Sequence, residues 1–332
     1  MTLSNEHEAV PMNGSAADRS DDEIVDRPAN LSEFAGQSLL RDNLRVYIRS
    51  AVRLSAPLDH LLLHGPPGLG KTTLARIVAN ELGVDIRITA APSIVKPADI
   101  VSVLVGLAPR DVLFIDEIHR LPANVEEILY SVMEDFRLDV IVGDGGQGKP
   151  VSIDLPRFTM IGATTKLGSL TNPLRDRFGI VFRLELYDDD EMGAVIARAA
   201  NKLSISLDNG AITEIAKRSR GTPRIGLRLL RRVRDFAISD GLAAVTEADA
   251  RGYLTRIGVD HNGLDDTDMR YLRCLVHRFA GGPVGLTTLA AALGDSIETI
   301  ESMLEPYLLR KGFIDRTPRG RIATEAGLAL FA

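Results

Sequence analysis

Between residues 39 and 184 two rhythms of apolar and polar positions alternate along the chain. Leu39–Leu54 and Thr73–Leu82 repeat apolar residues near helical spacing, which predicts two helices. Between them Leu61, Leu62 and Leu63 form a continuous apolar run, a short buried strand, and Val84–Thr89 alternates as a second strand. Val112–Ile115, Phe158–Thr165 and Ile180–Leu184 predict three more. Strands alternating with helices build a parallel sheet with helices on both faces, an α/β fold whose ligands bind at the carboxyl ends of the strands.

Arg137–Leu155 breaks this rhythm. Leu138–Val142 and Val151–Leu155 alternate around a Gly-rich tip, which predicts a long β-hairpin. Its apolar residues make it a candidate docking surface, and a solvent-exposed connector is the plainer alternative. After Tyr187 the acidic run Asp188–Glu191 marks a linker or helix start, and two helical stretches follow to about Ile257. The second opens with Gly221-Thr222-Pro223, which places Thr222 as N-cap and Pro223 at the first helical position. From His261 the pattern changes to short helices. Gly312–Ala323 then predicts two short strands joined by a basic turn, the layout of a winged helix. These shifts divide the chain at 1–24, 25–187, 188–258 and 259–332. The first part is polar, acidic and poor in large apolar residues, the composition of a disordered tail.

Composition narrows the function classes. A chain of 332 residues suggests roughly two to three domains. Hydrophobic and charged fractions of 45% and 25% are those of a soluble globular protein. A net charge of -6 argues against a surface that is basic all round, so nucleic-acid contact must come from local patches. One such patch is Arg310–Arg321, with five basic residues and only Asp315 as an acid. Lys217–Arg234 holds eight basic residues and no acid; most of it reads as a solvated helix face. Arg224 stands apart, because a cation in a first helical turn is favoured only by a specific anion. Cys274 is the only cysteine, which excludes an internal disulfide and suits a reducing cytosol. No apolar run approaches the ~18 residues of a membrane span, and the N-terminus lacks the pattern of a secretory signal.

The chemistry begins at Gly65–Thr72, which fits the phosphate-binding pattern G-x-x-x-x-G-K-[ST] after a strand and before a helix. Gly65, Gly68 and Gly70 let successive amides point inward at phosphate oxygens. Lys71 supplies a point charge, and the Thr72 hydroxyl can coordinate Mg²⁺. Asp116 and Glu117 follow the apolar run Val112–Ile115. Asp116 can hold Mg²⁺ through water, and Glu117 can orient and deprotonate an attacking water. Thr164, at another strand end, can hydrogen-bond the γ-phosphate or that water. Arg175 and Arg177 lie just beyond, and an arginine there could reach a γ-phosphate on a neighbouring subunit. A site completed in trans requires an oligomer, and a closed head-to-tail interface gives a ring.

The stretches GPPGLGKTT, LFIDEIHR, GATT, NPLRDRFGI, RGTPR and RTPRGR occur in the order and spacing of the RuvB family of bacterial Holliday-junction branch-migration motors. The chain resembles that family from roughly residue 27 to 324. The resemblance implies a large AAA+ ATPase domain, a small helical lid and a winged-helix head. It also implies ATP turnover with Mg²⁺, ADP as product, a homohexameric ring on duplex DNA, and RuvA and RuvC as partners. By motif, Lys71, Thr72, Asp116 and Glu117 resemble the family's P-loop and Walker B residues. Thr164 resembles sensor 1, Arg177 the trans-acting arginine finger and Arg224 sensor 2. Arg27, Pro66, Pro67, Thr73, Glu134, Asp135, Phe136 and Tyr187 resemble its further nucleotide-binding positions. Arg316 and Arg321 resemble the DNA-contacting arginines of the wing, and residues 137–155 resemble the hairpin that docks on RuvA. The tip GDGGQGKP is more polar than the family's usual small apolar tip, while the arms keep Val140, Val142, Val151 and Ile153. Two other classes fit parts of the pattern: a clamp-loader-type AAA+ subunit, and a DNA-binding regulator that uses its P-loop only as a switch.

Overall fold

The computed structural model describes residues 27–142 and 149–331. The tail expected over 1–24 and the tip of the hairpin lie outside them. In chain order the first unit contains α1 (Ser38–Leu54), β1 (Leu61–His64), α2 (Lys71–Leu82), β2 (Ile86–Ala90), α3 (Pro97–Val105), β3 (Val112–Asp116) and α4 (Ala123–Asp135). The hairpin β4 (Arg137–Val142) and β5 (Lys149–Asp154) follows, then β6 (Thr159–Thr164), α5 (Asn172–Asp176) and β7 (Ile180–Arg183).

Five strands form one parallel sheet in the order β2-β3-β6-β1-β7. The apolar runs have to be buried on both faces, and alternation along each strand sorts them. Leu61, Leu63, Val112, Phe114, Ile161 and Ala163 pack with α1 and α2. Leu62, Leu113, Ile115 and Met160 pack with α3 and α4 on the opposite face. Gly162 in the central strand keeps a gap filled from that second face, because a Cβ there would lie 2.9 Å from Phe178 Cζ and 3.1 Å from Ile118 Cδ1.

His60, just before β1, is structural. The Met160 amide donates to its Nδ1 (2.9 Å). Its Nε2 lies 3.0 Å from the Met133 carbonyl, so the neutral ring carries its proton on Nε2 and donates there. Burial lowers the pKa of this histidine, which favours that neutral form.

The lid has four helices where the pattern suggested two stretches: α6 (Asp189–Lys202), α7 (Asn209–Arg218), α8 (Pro223–Ser239) and α9 (Glu247–Arg256). Each expected stretch is cut by a tight turn, and the helices after Asp188, Asp208 and Thr246 are capped by those side chains. Thr222 does occupy the N-cap position of α8, but its side chain makes no capping hydrogen bond. The basic stretch over Lys217–Arg234 is also not simply solvated. Arg218 is buried, bonding Glu214 (2.8 Å) and the Val259 carbonyl (3.0 Å). The lid core is continuous with the α1/α2 face of the sheet.

The head has its own core, centred on Tyr271, Leu272, Leu289, Ile300, Leu308 and Ile314. It comprises α10 (Asp266–Arg273), which continues into a π-helical turn, α11 (Leu286–Leu293), and α12 (Ile297–Thr299), which runs through a second π turn into α13 (Glu305–Arg310). The wing β8 (Ile314–Thr317) and β9 (Gly320–Ala323) pairs antiparallel, and α14 (Glu325–Ala329) closes the chain.

The crowding at Gly162 gives a direct check of the core. Gly162→Val should destabilise the protein by about 1–3 kcal/mol through overpacking. It would be read as a lower denaturant midpoint at unchanged m-value. An unchanged midpoint would mean that Phe178 and Ile118 yield freely.

Candidate functional site

The sheet order decides what meets at its carboxyl edge. β6 lies between β1 and β3, so the loop after β1 and the carboxylates after β3 flank the end of β6. The loop amide of Gly65 donates to the Thr164 carbonyl (3.2 Å). The loop after Pro66 and the acidic pair line a cleft of about 250 Å³. A larger, shallow hollow of about 710 Å³ lies at the opposite end of the sheet, against Asn80, Asp85 and Asp111. It carries no comparable phosphate-binding chemistry.

The loop side of the cleft is Pro67, Gly68, Gly70, Lys71, Thr72 and Thr73, with Arg27 from the start of the described chain. Gly65 and Pro66 contribute from behind. Lys71 Nζ donates to their carbonyls at 2.8 and 2.9 Å. Desolvation, only partly offset by the Asp116 and Glu117 charges and reinforced by Arg224, lowers the Lys71 pKa from 10.5 to about 8. This buried cation is held by neutral carbonyls, a poor substitute for an anion.

Asp116 and Glu117 face it across the cleft. The Glu117 amide donates to Asp116 Oδ1 (2.9 Å). Glu117 has left-handed backbone angles (φ 49°, ψ 41°), uncommon for a residue with a Cβ and typical of functional corners. Its carboxylate is paired with Arg120 at 2.9 Å. The hard oxygens of Asp116 and Thr72 suit Mg²⁺, which takes few protein ligands and completes its shell with water and phosphate. No group of three or more His, Cys, Asp or Glu side chains among the described residues could hold a metal alone.

The lid closes the third side. Arg224, Leu227 and Arg231 line the cleft from one face of α8. Gly68 lets α8 approach: a Cβ there would lie 2.8 Å from Thr222 Cγ2. Leu227 and Arg231 went unread in the sequence, although the spacing of three and seven residues from Arg224 puts them on its face.

Several expected residues sit elsewhere. Thr164 is corrected by its neighbour: its hydroxyl lies 2.9 Å from His119 Nδ1 and accepts from the Lys166 amide (3.0 Å), and it is buried. Thr165 lines the cleft instead. β6 ends at Thr164, so the choice between the two adjacent threonines rests on where the strand gives way to the loop. Tyr187 is buried against Gly36, and its amide donates to the Gly221 carbonyl (3.0 Å). Glu134, Asp135 and Phe136 end α4 away from this cleft, with Phe136 tilted against His60 and edge-on to Phe158. Arg177 is near them and not in its own chain's cleft, paired with Glu134 at 2.7 Å and lying over the Tyr130 ring.

In the head, Arg316 and Arg321, expected at a DNA-contacting wing, both have an internal partner. Both bond Glu305, a fully buried carboxylate, Arg316 through Nε (2.8 Å) and Nη2 (2.6 Å). Arg321 bonds it through Nε (2.8 Å) and reaches Glu301 at 3.0 Å. A buried carboxylate without counter-charge is costly, which explains their capture. Arg316 stays 43% exposed, whereas Arg321 is 14% exposed and largely a strut. Lys311 and Arg319 remain exposed on the same wing.

A glycine-rich loop, an acidic pair one strand away and a lid helix over both define a P-loop ATPase of the AAA+ type, carrying a winged-helix head. The sequence comparisons agree. Residues 26–184 match the Holliday junction DNA helicase RuvB P-loop domain. Residues 187–260 match the RuvB AAA lid domain, and 261–332 the RuvB C-terminal winged helix domain. The Holliday junction branch migration complex subunit RuvB of Acholeplasma laidlawii is 52% identical over 307 residues, 92% of this chain and 91% of that one. The structure of the Thermotoga maritima RuvB Holliday junction branch migration motor superposes with a TM-score of 0.83 at 44% identity, over 92% of this chain and 98% of that one. A point mutant of the same protein gives 0.84 at 44% identity, with the same coverage. The chain belongs to the RuvB family.

Lys71 makes nucleotide affinity pH-dependent with a defined sign. In the free protein its charge is present below about 8 and lost above it. Polyphosphate favours the charged form, so binding takes up a proton at alkaline pH. Affinity for a fluorescent ATP analogue should therefore fall toward about tenfold per pH unit above that pKa. Lys71→Ala should abolish this dependence. An equally flat profile for the unsubstituted protein would contradict the lowered pKa.

Proposed function

We propose that this chain is the ATP-hydrolysing subunit of a Holliday-junction branch-migration motor, working as a homohexameric ring on duplex DNA beside RuvA, and with RuvC. The observation that carries the reading is the division of catalytic groups: Lys71, Asp116 and Glu117 share one cleft, while Arg177 lies outside it, near the end of α4. A subunit of this design needs a neighbour. Glu134, Asp135 and Phe136, close to Arg177, then belong to the face that a neighbouring subunit's nucleotide would meet.

The steps follow from the residues. Loop amides and Lys71 hold the β- and γ-phosphates, the phosphate replacing the carbonyls that Lys71 now bonds. Asp116 and Thr72 would hold Mg²⁺, which supplies charge neutralisation at the phosphate oxygens when bound. Glu117 must leave Arg120 to orient and deprotonate the attacking water. Thr165 takes the sensing role first given to Thr164, and Arg177 stabilises transition-state charge in the adjoining subunit. Arg224 and Arg231 carry the nucleotide state into the lid. ADP is the product.

The head would meet the DNA backbone through Arg316, Arg319 and Lys311, contacts that position without reading sequence. The hairpin is the element that RuvA docking would use. Leu138 and Ile153 are paired at its base and join the core, and Val140 pairs with Val151, which is 41% exposed, one step outward. The free thiol of Cys274 suits a cytoplasmic setting. A winged helix in place of a clamp loader's collar favours the motor reading.

ATP-driven migration of a synthetic four-way junction tests this reading. Movement should require ATP, RuvA and an intact Lys71. Glu117→Gln should bind ATP within about twofold of the unsubstituted protein yet lose at least about a hundredfold in turnover. ATP turnover on DNA with no junction movement, even with RuvA, would refute the motor assignment. A second pair of variants separates the threonines. Thr165→Val should lower turnover with nucleotide affinity kept, and Thr164→Val should chiefly lower stability by removing the half-buried contact to His119. The reverse pattern would restore Thr164 to the sensing role.

A further inference from the structure

Within five residues, Arg220 to Arg224, the chain touches the nucleotide loop, the domain junction and the head. The Arg224 amide donates to the Gly68 carbonyl (3.3 Å), and Thr222 packs on Gly68. The Gly221 carbonyl accepts from the Tyr187 amide at 3.0 Å, where the ATPase domain passes into the lid. Arg220 turns the other way, into the head. Its Nε donates to the Gly263 carbonyl (2.8 Å), its Nη2 bonds Asp265 (3.1 Å) and Asp268, and its guanidinium covers the Tyr307 ring at 4.7 Å. Arg310 of α13 closes the cluster by donating to the Arg220 carbonyl (2.7 Å).

This segment has little freedom. Arg220 and Gly221 are consecutive left-handed residues (φ 58° and 66°), a conformation that an arginine adopts only when its surroundings fix it. Asp268 is fully buried, and among the described residues its Oδ1 has no hydrogen-bond partner, so the Arg220 charge is its main compensation. Asp265 caps α10 by accepting from the Thr267 and Asp268 amides. The guanidinium is therefore bolted to the first turn of the head's first helix.

We propose that Arg220 is a positioning residue that couples the winged-helix head to the nucleotide pocket, so that any displacement of Arg224 by nucleotide is delivered to the head through Arg220, Asp268 and Tyr307. Arg220–Arg224 then divides its two arginines between two tasks, Arg224 toward phosphate and Arg220 toward the head. The proposal rests on the motor reading and adds the route by which its two working ends communicate. Coupling of this kind is reciprocal: nucleotide changes DNA affinity by the same factor by which DNA changes nucleotide affinity.

The test measures that factor as the ratio of duplex-DNA affinities, by fluorescence anisotropy, with and without a non-hydrolysable ATP analogue. The unsubstituted hexamer should show a ratio of at least about fivefold. In Arg220→Met combined with Asp268→Asn, which removes the buried charge together with its partner, the ratio should fall to within about twofold of one. Analogue affinity and basal ATPase should be kept, while junction migration is lost. Arg220→Lys, which keeps the charge but not the forked donors, should restore part of the ratio. An undiminished ratio in the folded double variant would overturn the proposal. Should that variant not fold, Arg310→Ala removes both the bond to the Arg220 carbonyl and the cation over the Tyr307 ring, and an unchanged ratio there overturns it equally. An unsubstituted protein that moves junctions with a ratio of one also overturns it. One that moves no junctions at all refutes the motor reading instead.

Discussion

The approach of the lid helix to the phosphate loop at Gly68 is the contact on which the site depends. Every other wall of the cleft belongs to one domain, but Arg224, Leu227 and Arg231 reach it only because α8 begins against a loop residue without a side chain. A Cβ at Gly68 would meet Thr222 Cγ2 and Arg224 Cβ, and the φ of 80° would strain any other residue. The glycine thus serves two demands at one Cα. It lets amides turn toward phosphate, and it lets a second domain lie close enough to sense what is bound.

The second constraint is strand order. With β6 between β1 and β3, the lysine and the acidic pair are separated by one strand width, which leaves room for a phosphate chain and an attacking water. The order also explains why a residue at the end of β6 is well placed to report on hydrolysis, and why one position decides it. Thr164 keeps its hydroxyl on His119, beside the acidic pair, and Thr165 opens into the cleft. The two threonines have different surroundings because the strand ends between them: Thr164 is the last residue of β6, and Thr165 begins the loop after it.

The sheet and the loop were legible in the sequence because their signals are local. Leu61–Leu63 and Val112–Ile115 alternate between two buried faces over a few residues, and the glycine pattern of the loop carries its own geometry. The lid was half legible: helical periodicity was visible, but turns such as that at Ser204 split it further. What stayed hidden was pairing across long separations. Nothing near Arg321 in sequence announces the buried Glu305, and nothing near Arg220 announces Asp268, 48 residues away. A basic stretch read by composition alone looks like a surface for anions, whereas the fold had already supplied several of its anions internally.

That difference gives a physical criterion for which cations of this chain are reserved for a ligand. Lys71 is buried against two carbonyls, a setting that leaves its charge undercompensated and its pKa low. Arg321, half-buried, sits against two carboxylates, which raise its pKa and satisfy it. The first arrangement gains from an arriving polyphosphate, and the second would have to break an internal pair to accept one. Arg177, partly exposed and held by the exposed Glu134, lies between these limits. Its pair costs little to open, because exposed ion pairs contribute at most about 1 kcal/mol. Of the three cations, Arg177 is thus the one whose internal partner is most readily exchanged for an incoming anion.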